Sequence, residues 1–219
     1  MFKYKIFTLF IFVVFMCTFT FIKASNEPSL LGKFFYLDAG HGGIDVGASY
    51  KDIKESDINL IICEFLKDNL EKHGAIVYMT RVSDNDLAGI GSSNRKRSDL
   101  STRARIINES GADMFISVHL NADISSFWSG AQVFYTNRNS NNKNIALLMQ
   151  EQFKRSLNTS REAKEIENVY LFDRISVPGV LVEAGFLSNP NDRYLLTSED
   201  YQRKIASIIT ASIINFYNN

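Results

Sequence analysis

From residue 33 onward, short apolar runs alternate with amphipathic stretches. Residues 33–37 carry Phe34, Phe35, Tyr36 and Leu37 in unbroken succession and read as a buried strand that stops at Asp38. A turn follows, Ala39-Gly40-His41-Gly42-Gly43, in which glycines hold a single histidine at the strand's end. Residues 75–80, 114–118, 130–136, 168–172 and 179–182 are the other strand candidates. Apolar residues at 58, 61, 62, 65, 66 and 70 recur at helical spacing. They predict a helix just after Glu55, with Ser56 as its N-cap and Gly74 beyond its end. Further helices are expected at about 101–110, 144–157 and 200–217. Residues 44–54 and 81–99 are rich in turn formers and read as loops, the second containing a solvated Arg95-Lys96-Arg97 run. Strands that are apolar throughout and alternate with helices predict an α/β fold. Its mostly parallel sheet would be flanked by helices on both faces.

The first 25 residues follow another pattern. Lys3 and Lys5 precede an apolar run from Ile6 to Ile22, and Lys23, Ala24 and Ser25 come next. This is the layout of a secretory signal peptide, with an uncleaved N-terminal anchor as the alternative because the run is long. The expected organisation is a signal peptide or anchor at 1–25, a short linker at 26–32 and one catalytic domain at 33–219. Either way the protein is exported across the cytoplasmic membrane. Composition adds that 45% hydrophobic and 22% charged residues suit an ordinary globular domain. Removing the leader through Ala24 takes away Lys3, Lys5 and Lys23 and no acid, leaving 21 basic against 24 acidic residues, a net of −3. Nothing in that balance suits nucleic acid as a partner. It also leaves Cys63 alone, so no internal disulfide forms, and its apolar neighbours predict a buried thiol.

His41, His119 and Glu183 each follow an apolar strand. In parallel sheets ligands bind at the carboxyl ends of strands, so the three should meet in one crevice. Two histidines and carboxylates are the ingredients of a catalytic zinc site, which uses three protein ligands and keeps a fourth position open. His73, at the end of a predicted helix, suits the helix terminus better than a metal. Glu55, at the start of that helix, is the natural third ligand, and Glu183 the general base for a zinc-activated water. Spacing alone leaves the reverse assignment open, with Glu183 as ligand and Glu55 as base.

Six segments taken together are more specific. Asp38-Ala39-Gly40-His41-Gly42-Gly43, Lys54-Glu55-Ser56-Asp57, Thr80-Arg81, Leu100-Ser101-Thr102-Arg103, Phe115-Ile116-Ser117-Val118-His119-Leu120-Asn121-Ala122 and Leu181-Val182-Glu183-Ala184-Gly185-Phe186-Leu187-Ser188-Asn189 resemble, in order and spacing, the zinc-dependent N-acetylmuramoyl-L-alanine amidases. The resemblance implies a six-stranded α/β domain that hydrolyses the amide between the lactyl group of N-acetylmuramic acid and L-alanine in peptidoglycan. By the family pattern His41, Glu55 and His119 hold Zn2+ and Glu183 is the catalytic residue. The compact layout is most similar to the germination-specific spore-cortex amidases, which prepare muramic acid for δ-lactam formation. It also implies an exported partner protein for activation or placement. Asn121, Arg174 and Arg103 are candidates for substrate contact or loop support, Asp38 for orienting a ligand histidine and Trp128 for stacking on a sugar. Asp45 reads as a turn former. The rival readings are another exported zinc peptidase, such as a carboxypeptidase, and a non-catalytic wall-binding protein of the same fold.

Overall fold

A computed structural model describes residues 30–157 and 159–218. The signal or anchor segment and the first part of the linker lie outside the described residues. The sheet is built from β1 (Phe34–Ala39), β4 (Ile76–Met79), β5 (Met114–Asn121), β6 (Gln132–Tyr135), β7 (Lys164–Glu165) and β8 (Gly179–Phe186), in the order β4-β1-β5-β8-β6-β7. All neighbouring pairs are parallel except β6 with β8. A two-stranded hairpin, β2 (Ser49–Tyr50) with β3 (Ile53–Lys54), stands apart. The helices are α1 (Glu55–Lys72), α2 (Arg95–Glu109), α3 (Ser140–Leu157), α4 (Pro190–Leu196) and α5 (Glu199–Asn218).

Alternation along the central strands sorts their side chains between two faces. Phe35, Leu37 and Ala39 of β1, Ile116 and Val118 of β5, and Val180 and Val182 of β8 are buried in the larger core under α1, α3 and α5. The smaller core on the opposite face gathers Tyr36, Phe115 and Leu181 under Ala104 and Ile107 of α2 and Phe172 and Ile175 around a short 3-10 turn. On this second face the alternation continues from apolar to polar: Tyr36 leads to Asp38, Phe115 to Ser117 and His119, and Leu181 to Glu183. The chemistry therefore occupies the carboxyl-end half of one face.

Several expected elements shift. Glu55 is the first residue of α1 and Lys54 its N-cap, so Ser56 does not cap the helix but is buried within its first turn. Gly74, with φ +87, does follow the helix end. Helix α2 begins at Arg95, one turn and more before the first inward apolar residue, with the Asn94 side chain accepting from Arg97 N. The Arg95-Lys96-Arg97 run is thus helical rather than part of the loop. Residues 168–172 form no strand; Asn168 sits at φ +60 and the 3-10 turn follows, while the sixth strand is the exposed pair Lys164–Glu165. His119 and Glu183 lie within their strands rather than just beyond them. Cys63 is buried, and burial pushes its thiol pKa up.

Candidate metal centre

The site forms where β1, β5 and β8 end beside the first residue of α1. Parallel pairing places Asp38 opposite Ser117 and His119 opposite Glu183. Glu55 is buried at the start of α1, where the helix dipole favours a carboxylate. Its Oε1 lies 3.2 Å from His41 Nε2 and 2.9 Å from His119 Nδ1, and it accepts from Leu120 N at 3.0 Å. Its Oε2 accepts from Ala48 N at 2.8 Å. Burial alone would raise the Glu55 pKa, but the hydrogen bonds and charge of His119 and His41 outweigh it and hold the carboxyl well below its ordinary range. The two imidazoles meet edge to face, their centroids 4.9 Å apart.

The backbone around His41 is arranged for close approach. His41 takes φ +62, an uncommon conformation for a residue with a Cβ. Two arginines fix it there. Arg81 donates from Nε to Ala39 O and from Nη2 to Gly40 O and Ser56 O; Arg103 donates from Nη1 to Ala39 O and from Nη2 to His41 O. The carbonyls of three successive residues are thereby held in place. A Cβ on Gly40 would fall inside the His119 ring, and one on Gly47, whose φ is +68, would press on Glu55 Oε2 and the His41 ring. These positions tolerate only glycine.

His41, Glu55 and His119 offer donor atoms that lie within 4.8 Å of one another. Two imidazoles and one carboxylate, pressed together in a glycine-lined cradle, match the three-ligand donor set of a catalytic zinc site. Glu183 stands alongside on β8. Its Oε2 is sealed from solvent and has no hydrogen-bond partner. Burial, aided by the charge of Glu55 and opposed by His119 and His41, pushes its pKa up to about 7. A buried carboxyl oxygen without a partner is costly unless it has work to do.

The other candidates are placed differently. Asp38 is fully buried; its oxygens accept from Thr80 Oγ1, Arg103 Nη1 and Ser117 Oγ, and not from a histidine. Burial would raise its pKa, but the Arg103 charge and the Ser117 hydrogen bond lower it. The carboxylate that orients His41 is Asp45, whose Oδ2 lies 3.1 Å from Nδ1 while its Oδ1 accepts from Gly47 N. Sequence reasoning gave Asp45 only the turn. Arg103, 1% exposed, is beyond the reach of a substrate and supports the loop. Arg174 is exposed and stacks on the Tyr170 ring, 3.5 Å from its centroid. The Asn121 carbonyl accepts from Leu187 N and so ties the end of β5 to the turn after β8. Arg81, unassigned in the sequence beyond its place in a motif, is the second clamp on the glycine turn.

The mostly parallel sheet and the start of α1 thus bring together His41, Glu55 and His119, which could hold a metal ion, beside an unpaired oxygen of Glu183. Comparison makes this specific: the N-acetylmuramoyl-L-alanine amidase family model matches residues 36–215, and the chain belongs to that family. It is 42% identical to the germination-specific N-acetylmuramoyl-L-alanine amidase of Bacillus subtilis (strain 168), over 94% of this chain and 91% of that protein. The structure of the CwlD amidase from Clostridioides difficile in complex with the GerS lipoprotein is similar at a TM-score of 0.81 and 40% identity. That match covers 85% of this chain and 98% of that one. The catalytic domain of CwlV, an N-acetylmuramoyl-L-alanine amidase from Bacillus (Paenibacillus) polymyxa, matches at a TM-score of 0.74 and 26% identity, over 85% and 98% of the two chains. Among the described residues no helix is long and apolar enough to cross a membrane.

Proposed function

We propose that the protein cleaves the amide between the lactyl group of N-acetylmuramic acid and L-alanine in spore-cortex peptidoglycan, with His41, Glu55 and His119 holding zinc and Glu183 moving the proton. The observation that carries this reading is the convergence of the three donors next to an unpaired, sealed oxygen of Glu183. Zinc, when bound, supplies a Lewis acid for the scissile carbonyl and brings the pKa of water near neutrality. Glu55 stays ionised at every physiological pH, and Asp45 keeps the Nε2 lone pair of His41 turned toward the centre. Glu183 can accept a proton at its free oxygen and then release it to the alanine nitrogen, which leaves as an amine.

The germination-specific relative supports cortex as the substrate and peptide-free muramic acid, the form needed for δ-lactam, as the product. The complex of a similar amidase with a lipoprotein supports an exported partner for activation or placement. Both fit an N-terminal segment that carries the domain at 33–219 out of the cytoplasm, to the wall or forespore cortex space. The test is digestion of cortex and vegetative peptidoglycan, with zinc and after chelation, followed by mass spectrometry of the products. Whole stem peptides with a new L-alanine amino terminus are expected, lost on chelation and in His119→Ala. Release of terminal amino acids would show a carboxypeptidase instead, and absence of hydrolysis with no bound zinc a wall-binding protein.

A further inference from the structure

The loop from Ala122 to Ala131 exposes Ile124, Phe127 and Trp128, the last two 80% and 46% exposed. Large apolar side chains grouped in the open mark a contact surface. The loop is tied down nonetheless. Asp123 N donates to Ser188 Oγ, Asn189 Nδ2 to Ser126 O at 2.8 Å, Arg161 Nε to Ser129 O at 3.0 Å, and Gly130 N to Asp192 Oδ2 at 2.7 Å. The rings are set as well. Phe127 and Trp128 meet edge to face at 5.7 Å, and the Arg161 guanidinium lies 4.9 Å from the Trp128 centroid and 4.7 Å from that of Phe186. Arg161 Nη2 is sealed and makes no hydrogen bond, so the guanidinium is held by the two rings together with the Ser129 carbonyl. Nearly half of the indole remains open.

Both ends of this loop are anchored at the site. It leaves β5 three residues after His119 and re-enters the sheet just before Gln132, which pairs across β6 and β8 with Glu183. The amide that the family cleaves is one lactyl group away from a pyranose ring, so a productive substrate brings a sugar to the rim of the centre. Pyranose rings present apolar C–H faces and have no charge. The loop itself, with Asp123 and no Lys or Arg, is poorly suited to an anionic membrane surface. Building on the amidase reading, we propose that Phe127 and Trp128 form a saccharide-stacking platform that holds the glycan strand beside the scissile amide.

Trp128 is the only tryptophan in the chain, so its fluorescence reports on this platform directly. Titrating the full protein with peptide-free glycan strands should shift or quench the emission to saturation. Free stem peptide and phosphatidylglycerol vesicles should leave it unchanged. An emission that ignores glycan, or follows the vesicles instead, overturns the proposal. Trp128→Ala should raise KM on polymeric peptidoglycan about tenfold, Trp128→Phe should recover most of that, and Phe127→Ala, at an exposed position, should give a smaller rise. Equal KM in all three also overturns it. Release of L-alanine amino termini is scored separately. Hydrolysis with a silent Trp128 removes the platform and keeps the amidase; a glycan-dependent shift without hydrolysis does the reverse.

Discussion

Two charged clusters occupy the same face of the sheet, one step apart along β5, where Ser117 belongs to the first and His119 to the second. In the first, Asp38 receives hydrogen bonds from Thr80, Ser117 and Arg103, while Arg103 also reaches Asp99 and the carbonyls of Ala39 and His41. In the second, the histidines converge on one oxygen of Glu55 and a Glu183 oxygen remains unpaired. The first cluster is saturated and can only hold its shape. The second keeps donor capacity in reserve, and its strained His41 backbone is held by the first. Saturated polar groups support the site; unsaturated ones act.

Substitutions in the two clusters should have opposite effects. Glu183→Gln removes the mobile proton, so activity on peptidoglycan should fall about 10²–10⁴-fold. The same variant relieves a buried charge, and its melting temperature at pH 7.5 should rise. A variant that loses both activity and stability would place Glu183 with the supporting cluster. Arg103→Ala should do the opposite first: with Asp38 left buried and unpaired, unfolding in denaturant should show a loss of about 3–5 kcal/mol.

The pH dependence of stability gives the next effect. The folded pKa of Glu183, about 7, lies above its ordinary 4.5, so the folded state keeps the proton longer than the unfolded chain. In the metal-free protein this contribution is fully present below about pH 4.5 and is lost as the pH rises to about 7. The loss amounts to about 3 kcal/mol. The difference between wild type and Glu183→Gln, measured by denaturation across that window, isolates it from the histidines. A difference that stays flat with pH would mean that water or an ion already satisfies the carboxylate. The smallest effect is expected at Asp45. Asp45→Ala frees Nδ1 of His41, and competition with a chelator should show zinc affinity reduced about 10–100-fold.

Legibility followed the length of each pattern. The apolar face of α1 spans five turns, and its body was plain from spacing, though its first residue was not. Strands β2, β3 and β7 have two residues each and no period to read. The first turn of α2 carries Arg95, Lys96 and Arg97 and buries nothing apolar, so periodicity is silent there. Asn94 three residues before Arg97 was the available signal. At the site, His41, His119 and Glu183 stood out because each comes after an apolar run, and Glu55 because it stands at the start of a helical pattern. Asp45 did not, because an aspartate among turn residues looks the same whether or not it faces a histidine.

The alternation of strands and helices and the family can be read along the chain, as can the histidines and glutamates that are candidates for binding metal or carrying a proton. These depend on composition and short-range spacing. Which carboxylate serves which partner is settled by the packing of segments far apart in the chain. Asp38 goes to Arg103, Asp45 to His41, Glu55 to both histidines and Glu183 to none. Such pairings depend on how distant segments meet in a low-dielectric interior, where a shift of a few ångströms decides whether a charge is neutralised or left available.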